Sequence, residues 1–166
     1  MAGAPAVVPP PTGAGELKYR AQDSPLTLRE GLDEYYAANP GLLPPVEAST
    51  ASLGTYLNNH DVSHVVFGTD TSLRGEMVQD LWTFLAIDVS SRRYVQDFVR
   101  EDEGKEIMKS AFQWETVPGF FWLLGRLPTL LRRSRRMPRK WTWDEWQPYL
   151  EMPLAGIREE FGIRVL

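Results

Sequence analysis

The 166-residue chain has no cysteine and only two histidines. Without thiols there is no disulfide framework and no thiolate metal site, which excludes cysteine zinc fingers and iron–sulfur clusters. A bound metal would have to be held by imidazole nitrogen and oxygen. No run approaches the roughly 20 apolar residues that a membrane-spanning helix needs. The opening stretch MAGAPAVVPPPTGAGE lacks early positive charge and an apolar block followed by a cleavage site. It therefore reads as neither a secretory signal nor an Arg-rich transit peptide, which predicts a cytoplasmic protein. Its Ala, Pro and Gly offer little surface to bury, so residues 1–15 are expected to form a disordered tail.

What remains is ordinary for one folded domain over residues 16–166, with 43% hydrophobic and 24% charged residues overall. The net charge of −4 hides an asymmetry. Arg132, Arg133, Arg135, Arg136, Arg139 and Lys140 hold 6 of the 18 basic residues, leaving 12 bases against 22 acids elsewhere, a net of −10. An acidic body with one basic segment points to a local anionic partner and away from general nucleic-acid binding.

Helical periodicity dominates. Residues 27–38 place Leu28, Leu32, Tyr35 and Tyr36 on one side, and Asn39-Pro40-Gly41 ends the pattern. Ser49 or Thr50 can cap a second helix running to Val66. After a break at residues 68–72, a long helix is expected from Leu73 to Ser90, with Leu73, Met77, Leu81, Leu85 and Val89 at fourth positions. Helix continues from Tyr94 to about Gln113, Pro118, Pro128 and Pro138 divide an apolar stretch over residues 117–131 from the basic run, and residues 141–161 form a last helical region bent at Pro148 and Pro153. No segment alternates with period two. The class predicted is all-α, a single compact multi-helix domain.

His60 and His64 lie four residues apart, so on a helix their imidazoles share one face, the spacing used by zinc-binding helices. Asp61 borders the same patch. Two imidazoles and a carboxylate suit a divalent ion, whereas a histidine pair lining the core or facing solvent fits the bare spacing equally well. The zincin pattern, which requires Glu after the first His, is absent, as is any G-x-S-x-G nucleophile elbow.

The run His60-Asp61-Val62-Ser63-His64, eleven residues and then Glu76 resembles the HDxxH-x11-E motif of the Coq4 family of ubiquinone-biosynthesis proteins. Gly68, the Gly75-Glu76 pair, Trp-rich residues 141–146, Pro153-Leu154 and the stretch Ile157–Ile163 are also similar to that family, over roughly residues 26–166. The resemblance implies that His60, Asp61, His64 and Glu76 ligate a divalent metal, by family convention zinc, with manganese, iron, cobalt and magnesium also suited to the donor set. It further implies a carboxy-lyase or oxidative decarboxylase acting at C1 of a prenylated hydroxybenzoate, with linked hydroxylation. A non-catalytic lipid- or prenyl-binding scaffold with a structural metal is the alternative, as is a relative acting on another aromatic precursor in a secondary-metabolite pathway. The short chain without a presequence fits a bacterial relative. Catalytic residues beyond the metal ligands are not assigned, and a homodimer is left open.

Asp80, one turn after Glu76, is a candidate to orient an imidazole, or else a solvated acid. A hydrophobic, quinone-like substrate calls for an apolar surface. Phe120, Phe121 and Trp122 precede Arg132, Arg133, Arg135 and Arg136, an aromatic-plus-basic order suited to an anionic membrane surface on the inner face of the cell membrane. The alternative is a core helix followed by a solvated basic loop.

Overall fold

Thr27 starts the first long helix by a reciprocal cap. Its hydroxyl accepts from the Glu30 amide at 3.2 Å, and the Glu30 carboxylate accepts from the Thr27 amide at 2.8 Å. The computed structural model describes residues 17–40, 42, 52–94 and 117–166. Their order is a 3₁₀ turn at Lys18–Arg20, α1 at Leu28–Ala38, α2 at Ser52–Phe67, α3 at Leu73–Ala86 and strand β1 at Ile87–Asp88. There follow α4 at Val117–Ser134, strand β2 at Trp141–Thr142, a second 3₁₀ turn at Gln147–Tyr149 and α5 at Leu154–Phe161. The fold is all-α, as the periodicity predicts. The tail expected over 1–15 and nearly all of the helix expected over 94–113 lie outside the described residues.

Helix α2 is the hub. It packs against α1, α3, α5 and the first 3₁₀ turn, while α3 lies between α2 and α4. Every residue from Asp61 to Thr69 is buried, with Val65, Val66 and Phe67 fully enclosed. That enclosure accounts for the apolar C-terminal half of α2, since a helix surrounded on all sides needs no polar face. Arg158 on α5 closes the hub from below, with Trp82 of α3 stacked on Phe67 at 5.0 Å between ring centres.

Three expectations are corrected by the packing. Helix α3 stops at Ala86 rather than Ser90, because Ile87–Asp88 turns extended and pairs in parallel with Trp141–Thr142. The inward side of α3 is Val78, Gln79, Trp82, Thr83 and Ala86, whereas Leu73 is 53% exposed. Pro128 does not divide the segment that carries it, since α4 runs unbroken through it to Ser134. Pro128 is itself exposed, so the amide it lacks is missing on the solvent side. Among the described residues, no helix is long and apolar enough to cross a membrane.

Candidate metal centre

The site is made where the end of α2 faces the start of α3. His60 and His64 project from one side of α2, with ring centres 4.7 Å apart. Glu76 reaches them from the first turn of α3, its Oε2 lying 3.3 Å from His64 Nε2 and 3.8 Å from His60 Nε2. One ligand atom from each residue falls within 4.8 Å of the others, close enough to surround one ion. Ser72 sets the start of α3 by accepting from the Gly75 amide at 3.1 Å. Glu76 is therefore held at a fixed place in the first turn.

The end of α2 supplies the rest of the geometry. Gly68 takes a left-handed conformation with φ of 69°. This folds Thr69 back so that its amide bonds the His64 carbonyl at 3.0 Å, a Schellman closure. Its hydroxyl then lies 3.0 Å from His64 Nδ1 and donates to Gln79 Oε1 at 2.8 Å. A hydroxyl has one proton to give. With that proton committed to Gln79, Thr69 accepts from Nδ1–H, which leaves the lone pair of a neutral His64 on Nε2. That nitrogen is buried without a hydrogen-bond partner and faces the Glu76 carboxylate. Two electron-rich atoms held 3.3 Å apart in a buried place require a cation, either a proton on His64 or a metal ion.

The electrostatics favour ligation. Burial first, then His64, lowers the His60 pKa to about 4 against a smaller opposing effect of Glu76, so this imidazole is neutral at pH 7. Burial pushes the Glu76 carboxyl up, but the two imidazoles outweigh it and hold Glu76 below the usual glutamate range. Both are thus in the protonation state a metal ligand needs.

No family model, curated protein or solved structure matches this chain.

The structure brings three of the four motif residues together. Asp61 turns instead to two tyrosines, accepting from the Tyr36 hydroxyl at 2.8 Å and from the Tyr35 hydroxyl at 3.3 Å. Burial raises the Asp61 carboxyl to about 6, against the lowering effect of those hydroxyls and His64. Tyr35 also stacks on His64 with ring centres 5.6 Å apart, so one side chain contacts both residues. Asp80 does not reach either imidazole bond; it accepts from the Tyr94 hydroxyl at 2.7 Å. The orienting role expected of it belongs to Thr69, with Gln79 behind. Neither was picked out from the sequence, although Gly68 directly after the second histidine turn signals a helix end that returns the next residue.

The aromatic-plus-basic segment divides. Phe121 is 68% exposed, while Trp122 is half-buried with the guanidinium groups of Arg74 and Arg126 each 5.2 Å from its ring centre. The Phe120 side chain lies outside the described part. Arg132, Arg135 and Arg136 are exposed, and Arg133 is fastened to the backbone carbonyls of Arg164 and Val165.

Proposed function

We propose that the chain is a Coq4-like, metal-dependent enzyme of quinone biosynthesis, with His60, His64 and Glu76 as the metal ligands. The observation that carries this reading is the buried His64 Nε2, unpartnered and aimed at a carboxylate. Its substrate would be an aromatic carboxylate such as a prenylated hydroxybenzoate, and its reaction removal of the C1 carboxyl group as carbon dioxide.

Catalytic sites keep an open coordination position, whereas structural zinc sites are closed by protein ligands. His64 is fully enclosed, but 39% of the Glu76 side chain is exposed. Three protein donors with one open edge support a catalytic centre over a structural brace. A bound divalent ion would supply Lewis acidity toward a carboxylate or phenolate oxygen. The protein residues hold His60 neutral, fix the His64 ring through Thr69, and keep water from the enclosed side. Loss of carbon dioxide leaves an electron pair on the ring carbon that must take up a proton. Asp61, bonded to Tyr36 and with its carboxyl raised to about 6, is the nearby group of this chain suited to hold one near neutral pH. Hydroxylation at the same carbon would draw on an external oxidant such as dioxygen.

Elemental analysis of the purified protein tests the reading. Wild type is expected to carry a stoichiometric divalent metal that His64→Ala and Glu76→Ala lose. If the metal is present, carbon dioxide release from prenylated 4-hydroxybenzoate tests the substrate class. Wild type without metal, indistinguishable from both variants, would remove the basis for the proposal.

A further inference from the structure

The basic run is not spread evenly over the surface. Arg132, Arg133 and Arg136, at the C-terminal end of α4, meet Arg164 around a hollow of about 530 Å³. Gln22, Gly162 and Val165 complete the wall, and no acidic residue lines it among the described residues. Arg135 is not part of this wall. Arg139 leaves the group altogether, pairing with Glu160 over the ring of Phe161.

A helix C-terminus attracts cations, which gives the arginines an ordinary structural reason to be near it. Arg133 has such a reason, since its guanidinium donates to the carbonyls of Arg164 and Val165 and ties the last residues to α4. The other three do not. The side chains of Arg132, Arg136 and Arg164 have no hydrogen bond or ion pair with any described residue. Their charges oppose one another: partial burial first, then Arg132, Arg126 and Arg164, weakens the hold of Arg133 on its proton. Four like charges around one hollow, without a counter-charge among the described residues of its wall, form a site that an anion would stabilise.

We propose that this hollow binds a small polyanion carrying two or more phosphoryl groups. Planar guanidinium groups offer paired donors that match phosphate oxygens, and three of the four here have those donors unused. The volume lies within the roughly 300–1,000 Å³ of small-molecule sites. A concave wall lets several arginines reach one molecule together, whereas a flat membrane surface would count Arg135 equally with its neighbours. None of His60, His64 and Glu76 lines the hollow, so this site stands or falls apart from the metal centre.

The test is calorimetric titration of the full chain, in EDTA, with tripolyphosphate, pyrophosphate and orthophosphate. Flotation on phosphatidylglycerol vesicles runs beside it. Tripolyphosphate is expected to bind saturably and at least about tenfold more tightly than orthophosphate, since it engages several charged hydrogen bonds at once. Arg132→Gln and Arg164→Gln should each weaken it about tenfold, while Arg135→Gln leaves it unchanged. Neither Arg132 nor Arg164 uses its guanidinium to hold the fold, so both variants should melt like wild type. No saturable binding, an equal loss in Arg135→Gln, or flotation on vesicles that tripolyphosphate fails to reverse would each overturn the proposal.

Discussion

Thr69 governs His64 through a single hydroxyl proton. The hydroxyl gives that proton to Gln79 and receives the one on His64 Nδ1, which turns the Nε2 lone pair toward Glu76. Thr69→Val keeps the shape and removes both bonds. Partners of this kind typically account for about 10- to 100-fold in metal affinity, and a loss of that size is expected by competition titration with a chelating dye. An unchanged affinity would mean that the ring is held by its packing on Tyr35 alone. Two neighbouring residues make opposite contributions to the pH dependence of the metal-free protein. His60 falls to about 4 from 6.5, so the unfolded chain binds its proton first and acidification through that window costs stability. Asp61 rises to about 6 from 3.8, so the folded state holds its proton more tightly and acidification through that window adds stability. The two nearly cancel. Asp61→Asn removes the second contribution, and its stability, measured by urea unfolding in EDTA, is expected to fall more steeply than that of wild type between about pH 6.5 and 4. Parallel profiles would place the dependence elsewhere.

At the scale of the element, the start of α3 is where glycine is required. A Cβ on Gly75 would lie 2.0 Å from the Asp70 carbonyl oxygen and 2.2 Å from its Oδ1. That same carboxylate accepts from the amide and hydroxyl of Ser72, whose hydroxyl caps the helix. Gly75→Ala must therefore separate the Asp70 loop from α3 or move Glu76 away from the histidines. Overpacking of this kind costs roughly 1–3 kcal/mol, so a lowered melting temperature is expected together with weaker metal binding. Loss of stability with metal affinity intact would show that only the loop yields. Local signals of this sort were readable in the sequence. The apolar spacing over residues 28–36, the break at residues 68–72 and the four-residue histidine spacing each act within one or two turns, and each appears in the fold as expected. What escaped was non-local. The bridge from Ile87 to Trp141 spans a large part of the chain in only two residues per strand, too short for an alternating pattern. Pro128 stayed inside α4 because packing against α3 outweighs a missing amide. Thr69, Gln79 and Arg164 gained their neighbours from chain returns that no local spacing encodes.

For the whole molecule, Arg158 ties α5 and the turn before α1 to the helix that carries both histidines. It is fully buried on α5 and has no carboxylate partner among the described residues. Its guanidinium donates to the carbonyls of Tyr19 and Ala21 before α1, and to those of Val65 and Val66 in the last turn of α2. The last four carbonyls of a helix have no partner within it, and a cation there also opposes the negative end of the dipole. One planar group thus closes the end of α2, and with it the turn that places Thr69 on His64. Burial lowers the Arg158 pKa to about 10, which still leaves the charge in place at pH 7. Arg158→Met would fill the space but leave buried carbonyls unpaired, each costing about 1–3 kcal/mol. A loss of about 3 kcal/mol or more is expected from urea unfolding at pH 7. Arg158→Lys should recover only part of it, because an ammonium is a point donor that cannot span carbonyls on two segments. Both variants are also expected to bind metal more weakly at temperatures where they remain folded, since α2 loses its closure next to His64. A lysine variant as stable as wild type would show that the charge alone holds the segments together, and that the fork geometry is not needed.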